Sequence, residues 1–283
     1  MSAPGTTAAP PLRPVLARAP LGRYLRSLWQ RRHFILADSR ARAFSGNRDM
    51  VLGNLWLVGR PLLEGAVYYI IFGLLLKTSR GIDNFTGFLL IGVFLFSYTA
   101  RCVTRGVASM AAARNLIQSF AFPRAAIPLA VLLREAWSML PVLGTLVVLL
   151  VVVPPGTTVT ATWLLFPVVF ILHTLFNTGV VLYAARLGAT TPDLKYLLTY
   201  GVRLWFYGSG VMFSVDRFVS HPFWLAVLKA NPLYLVLEIS RDLLLYDTVS
   251  PGRDWLILGA WAVVTASLGF AYFWQGETGY AQD

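Results

Sequence analysis

The stretch Ala136–Ala185, AWSMLPVLGTLVVLLVVVPPGTTVTATWLLFPVVFILHTLFNTGVVLYAA, runs for fifty residues without one Asp, Glu, Lys or Arg. A membrane-spanning helix needs about 20 apolar residues at about 1.5 Å of rise each. The run is therefore long enough for two crossings, and Pro154-Pro155-Gly156-Thr157-Thr158 at its centre predicts a tight turn between them. Arg134-Glu135 precedes the run and Arg186 follows it, so both charged ends lie on one side of the bilayer. The reading is an all-α polytopic membrane protein.

Working outward, the whole chain carries the same signature. Of its 283 residues, 57% are apolar and 13% charged, about half the charged fraction usual in soluble domains. The length allows roughly six spans and little room for a soluble catalytic domain. Hydropathy predicts them at about Met50–Leu76, Phe85–Met110, Ile127–Val153, Ala161–Arg186, Leu194–Val215 and Trp255–Trp274. Lys and Arg set their orientation. Nine arginines precede Met50 against Asp38 and Asp49, and Arg114 and Arg124 follow the second span. The third connection is uncharged, while the fifth, Asp216–Asp254, has four cations and five acids. Both termini are therefore expected in the cytoplasm.

Residues 1–20, rich in Ala, Pro and Thr and without the apolar core of a signal peptide, read as a disordered cytoplasmic tail. In the 21–49 segment, Leu21, Tyr24, Leu25, Leu28, Trp29 and Ile35 keep helical spacing, with Arg23, Arg26, Arg31 and Arg32 largely between them. That is a basic amphipathic helix suited to lie along an anionic leaflet. Residues 50–283 form the permeating domain, with short re-entrant helices expected in 216–250, where Pro222 and Pro232 break an aromatic-rich stretch. No internal repeat is visible, so a two-halved pore needs two copies of the chain.

Enzyme chemistry is poorly served. The lysines, Lys77, Lys195 and Lys229, close no Gly-rich phosphate loop. The histidines, His33, His173 and His221, are scattered, and Cys102 is the single cysteine, which rules out a disulfide framework or a Cys-based metal site. His173, inside an uncharged span, reads as a hydrogen-bonded structural residue. Charges within spans are more telling because burial in lipid is costly. Arg60 and Glu64 have pairing distance on one helix, and Arg101 and Arg105 repeat that spacing with no acid between them. Unpaired arginines suit an anionic head group, since guanidinium binds phosphate bidentately. Aromatics cluster at Tyr68, Tyr69 and Phe72 and at Trp205, Phe206 and Tyr207, where they can serve as packing, as an interface belt or as stacking surface for sugar rings.

Four further places carry a family resemblance. Trp56 with Arg60-Pro61-Leu62 and then Tyr68 to Gly73, Arg114-Asn115-Leu116-Ile117 leading to Phe122-Pro123-Arg124, Ser209-Gly210-Val211-Met212-Phe213, and Asn231-Pro232-Leu233 followed by Arg241 together resemble a type-2 ABC exporter permease of the polysaccharide export branch. Gln118 and Gly210 depart from that pattern, where a basic residue and a proline are common. The resemblance implies a multi-pass permease of the bacterial plasma membrane that is not itself an enzyme. It implies a homodimer working with a separate ATPase subunit, which would hold the ATP and magnesium, so that no cofactor is expected in this chain. The substrate implied is a glycan on a polyprenyl pyrophosphate. An arginine to lysine ratio of 21 to 3 suggests a GC-rich genome and, from that, an actinobacterial cell-wall galactan.

On this reading Arg23, Arg26, Arg31, Arg32, Arg101 and Arg105 are the head-group candidates. Asn115, Leu116, Ile117, Gln118 and Phe120 contact the ATPase, and Tyr68, Tyr69, Phe72, Trp205, Phe206 and Tyr207 fringe the channel. Membrane lipids are the remaining partner, and no nucleic acid is implied. The alternatives are a drug or lipid efflux permease of the same class, a polyprenyl-phosphate enzyme, for which clustered loop acids are missing, and an ion-coupled transporter, for which only Glu64 and Glu135 are well placed.

Overall fold

The structure, a computed structural model, describes residues 20–45, 52–71, 82, 84–119, 122–153, 155–191, 193–215 and 221–277. Among these residues every regular element is helical. In chain order they are α1 (Leu21–Gln30), α2 (Arg32–Ser45), α3 (Trp56–Tyr68), α4 (Phe85–Ala112), α5 (Arg114–Ser119), α6 (Ala126–Val152), α7 (Phe166–Thr190), α8 (Leu194–Gly208), α9 (Pro222–Lys229), α10 (Pro232–Leu244) and α11 (Gly252–Gln275).

The uncharged run folds as a hairpin. Helix α6 ends at Val152, the Thr157 amide and hydroxyl both donate to the Leu150 carbonyl, and Gly156 takes a left-handed φ of +69°, which glycine adopts without Cβ strain. A 3-10 turn over Ala161–Leu165 leads into α7.

The centre of the bundle is α4, which buries most of its length against α6, α7, α3, α8 and α10. Its N-terminus is capped by the Asn84 side chain, which accepts from the Gly87 amide at 2.9 Å. Helix α7 lies between α4 and α11, and small residues bring the backbones together, as in membrane bundles generally. A Cβ on Gly179 would sit 2.0 Å from the Thr265 carbonyl oxygen, and one on Gly188 would sit 2.1 Å from that of Val107. Only the missing side chain permits these crossings.

Four helices among the described residues are long and apolar enough to cross a membrane, Phe85–Ala112, Ala126–Val152, Ala161–Thr190 and Gly252–Gln275, matching the second, third, fourth and sixth expected spans. The other two differ. Helix α3 runs for 13 residues, and the end of the expected first span, including Phe72, lies outside the described residues. Helix α8 stops at Gly208 after 15 residues, about 22 Å at 1.5 Å per residue and short of the roughly 30 Å hydrocarbon core. Its termination is local. Gly210 has φ +64°, and the chain from Val211 to Ser214 is irregular.

Beyond that break, α9 and α10 meet at 78°, as the prolines predict for a broken or re-entrant pair. Helix α10 is buried nearly throughout. Asn231 fixes its start by donating to the Gly208 carbonyl at 3.2 Å while its Oδ1 accepts from the Leu233 amide and the Trp205 indole. Arg241, 1% exposed, donates to the carbonyls of Val211 and Phe88 at 3.0 and 3.3 Å, with its guanidinium over the Phe88 ring. The Val211 carbonyl, released by the unwound backbone, thus has its donor inside the protein.

The N-terminal segment is two helices, where one was expected. They break at Arg31. In α1 only Tyr24 is buried, and Leu21, Leu25 and Trp29 are exposed. Helix α2 instead packs along α6 with Ile35, Ser39 and Ala43 buried at four-residue intervals.

Candidate functional site

At the arginine-rich end of the bundle, the α1–α2 junction, the end of α4, helix α5 and the start of α6 enclose a cleft of about 630 Å³. Four arginines line it, Arg31, Arg42, Arg105 and Arg134, together with Asp38. Its remaining wall is apolar, with Ile35, Leu116, Phe122, Ile127 and Val131. Two of the arginines are held by neighbours in the wall. Arg42 Nε donates to Asp38 Oδ1 at 2.8 Å, one helical turn away, and Arg31 lies 5.8 Å from the centre of the Phe122 ring. Arg134 is half-buried, its Nε is enclosed without a hydrogen-bond partner, and it lies in a mixed field, repelled by Arg105 and Arg42 and attracted by Glu135 and Asp38.

Behind the cleft, α4 and α6 share a charge cluster. Glu135 is fully buried and accepts from Arg101 Nε at 3.2 Å through Oε2 and from Arg105 Nη1 through Oε1. Arg101 also donates to Ser97 Oγ at 3.0 Å. The expectation that Arg101 and Arg105 lack an acid is corrected: their carboxylate comes from the adjacent helix, which spacing within one helix cannot reveal. One anion serves two cations, so the cluster keeps a positive excess toward the cleft. Arg60 and Glu64 are both exposed, with no ion pair between them.

Of the six head-group candidates, the structure brings Arg31 and Arg105 to the cleft and sets Arg101 behind it. Arg23 and Arg26 are exposed on α1 and do not line it, and Arg32 folds back over the Trp29 ring at 4.6 Å. Sequence reasoning missed Arg42 and Arg134. Arg134 stands next to Glu135 in a basic–acidic pair, but the signal that it points the other way, toward α2, exists only in three dimensions.

The channel aromatics divide. Phe206 is buried, stacked with Tyr68 at 5.3 Å and edge-on to Phe96 at 5.0 Å. Trp205 is half-buried between Phe96 and Phe176 and is tied to Asn231. Tyr69 and Tyr207 are exposed, and Tyr196 and Tyr200, which the sequence reading passed over, are exposed on α8 as well. Tyr196, Tyr200 and Tyr207 recur at helical spacing, a signal that was legible. Among the coupling candidates, α5 presents Asn115, Leu116 and Gln118 outward and packs Ile117 inward beside Tyr24 and Met110. Phe120 and Phe72 lie outside the described residues.

In mid-bundle, His173 is fully buried and its Nε2 lies 2.7 Å from Thr99 Oγ1, which donates to Asn177 Oδ1 at 2.9 Å. The network cross-links α4 to α7, as the structural reading of His173 expects.

Comparison with known proteins points the same way. A family profile described as "ABC-2 type transporter" matches residues 41–245. The chain is 30% identical over 204 residues to the O-antigen export system permease protein RfbA of Klebsiella pneumoniae, covering 72% of this chain and 76% of the relative. It is 24% identical to the protein of the same name from Myxococcus xanthus, over 86% of this chain and 92% of the relative. The polysialic acid transport protein KpsM of Escherichia coli is 24% identical over 78% of this chain and 85% of its own length. The family match spans most of the helical bundle, including the end of α2, the α4–α6 side of the cleft and the Asn231–Arg241 segment, and the chain belongs to the ABC-2 type transporter family as a multi-pass membrane permease.

Proposed function

We propose that this chain is the permease of an ATP-driven exporter that moves a glycan linked to a polyprenyl pyrophosphate out of the cytoplasm. The observation that carries the reading is the cleft. Four arginines line it beside an apolar wall, next to an amphipathic helix whose Leu21, Leu25 and Trp29 stay uncovered. A diphosphate needs several charge-assisted donors, and its polyprenyl tail needs an apolar exit into lipid. The export of glycans by the relatives, as their names state it, supports the polysaccharide class. A cell-wall galactan remains the favoured polymer on the arginine-rich composition.

In this reading the arginine-rich end faces the cytoplasm. Two copies of the chain enclose the path, and a separate ATPase, holding ATP and magnesium, docks on α5 and its flanks. Arg31, Arg42, Arg105 and Arg134 bind the diphosphate; Arg23 and Arg26 hold α1 to the anionic leaflet. The test is stimulation of ATP hydrolysis in the reconstituted complex by a polyprenyl-diphosphate oligosaccharide. Arg134→Ala is expected to raise the half-maximal substrate concentration about tenfold or more, since a hydrogen bond to a charged group contributes roughly 1.5–3 kcal/mol. Equal stimulation of the wild type by an uncharged polyprenol glycan would overturn the assignment.

A further inference from the structure

The amphipathic helix is anchored through one side chain, and the anchor runs through the end of the chain. Tyr24, 3% exposed, donates its hydroxyl proton to Glu277 Oε2 at 2.7 Å, and its hydroxyl oxygen accepts from the Ala125 amide at 2.9 Å. Glu277 Oε1 accepts from the Arg124 amide at 3.1 Å, and Arg124 Nη1 donates to the Glu277 carbonyl. Tyr24 belongs to a buried cluster with Met110, Ala185 and Phe273, and its ring meets Phe270 edge-on at 6.1 Å.

The hydrogen bonds have a specific meaning for α6. A helix start leaves backbone N–H groups without partners and carries a partial positive charge. Helix α6 has no capping side chain of its own, since Ala125 occupies its cap position. The amides of Arg124 and Ala125 are satisfied by Glu277, just beyond α11, and by Tyr24 of α1. Three segments distant in sequence thus close on the junction through which α5 leads into α6.

We propose that Tyr24 and Glu277 are positioning residues that clamp α1 to the α5–α6 junction, so that the amphipathic helix moves as one body with the segment the ATPase drives. This rests on the reading that α5 contacts the ATPase. The consequence is mechanical. Arg31, at the end of α1, lines the cleft, so a displacement of α5 would carry one wall of that cleft with it while the α4 wall stays behind.

The full chain in complex with its ATPase, in lipid nanodiscs, tests this with spin labels at Gln30 on α1, Arg114 at the start of α5 and Thr158 in the distant hairpin turn. Cys102 is buried, so introduced cysteines take the label. The Arg114–Thr158 distance is expected to change between nucleotide-free and ATP-trapped states, while the Gln30–Arg114 distance holds. In Tyr24→Phe, which keeps the ring and loses both hydroxyl bonds, and in Glu277→Gln, the Gln30–Arg114 distribution broadens. Transport per ATP hydrolysed then falls by about tenfold, the factor that corresponds to one lost hydrogen bond of the stronger kind, while hydrolysis itself persists. A wild-type Gln30–Arg114 distance that changes with ATP overturns the clamp, and that measurement needs no altered joint. Variants matching the wild type in both distance and coupling overturn it as well. An Arg114–Thr158 distance indifferent to ATP overturns the ATPase-contact reading, and the clamp's role with it.

Discussion

Glu135 shows how much one residue can organise in a low-dielectric bundle. Its carboxylate is fully buried and holds Arg101 and Arg105, whose side chains are 26% and 39% exposed. Removing one partner of a buried ion pair leaves the other charge uncompensated, at a cost of about 3–5 kcal/mol, and solvent screening of the partly exposed arginines reduces this to about 1–3 kcal/mol. Glu135→Gln is therefore expected to lower the thermal midpoint of the purified protein in detergent. Adding Arg105→Gln to that variant is expected to restore part of the loss, because it removes a cation that no longer has an anion. A midpoint unchanged by Glu135→Gln would show that water, and not Glu135, neutralises these arginines. The residues of the cluster were all visible in the sequence, and Arg101 and Arg105 stood out by their spacing. Their partner did not, because Glu135 lies on another helix and the side to which it turns is a property of packing.

At the scale of the element, the contrast between α7 and α6 separates two roles for glycine. Gly179 meets Gly269 across the α7–α11 crossing, with the Thr265 carbonyl 2.0 Å from where a Cβ would sit. Gly144 on α6 has open space around it. Gly179→Ala must push the two helices apart, and overpacking of this kind costs roughly 1–3 kcal/mol. Gly144→Ala meets no obstacle and gains up to about 1 kcal/mol of helix propensity. Thermal unfolding of the two variants is expected to shift in opposite directions, and equal shifts would mean that the crossing is looser than described. The hairpin of α6 and α7 was legible because hydropathy and a Pro-Pro-Gly turn report on single segments. So was the bend between α9 and α10, marked by Pro232. The break in α8 was not, since Gly210 within an apolar stretch is compatible with a continuous helix until Asn231 and Arg241 from α10 bind the carbonyls of Gly208 and Val211.

At the scale of the whole molecule, the aromatics sort by what one chain leaves uncovered. Phe206 and Tyr68 stack on one another, and Phe206 meets Phe96 in the core. Tyr196, Tyr200 and Tyr207 stand 61%, 62% and 54% exposed along α8, beside Leu197 and Leu204. In the homodimer proposed above, a face of this kind borders either the partner or the polymer, and the two roles make different demands. A contact between copies is lost when truncated, because apolar burial is what holds it. A channel wall is not, because a sliding glycan requires many weak and similar stacking contacts, in which no single ring is essential. Tyr200→Ala and Tyr207→Ala are therefore expected to leave dimer assembly and ATPase coupling intact, and to slow export of long polymers more than short ones. Phe206→Ala instead opens a cavity in the core and is expected to cost about 3–5 kcal/mol and reduce the yield of folded protein. Export assays against glycans of graded length, paired with size measurements of the complex, distinguish the outcomes. Dissociation of the dimer by both tyrosine variants would place α8 at the interface between copies and move the glycan path to another face of the bundle.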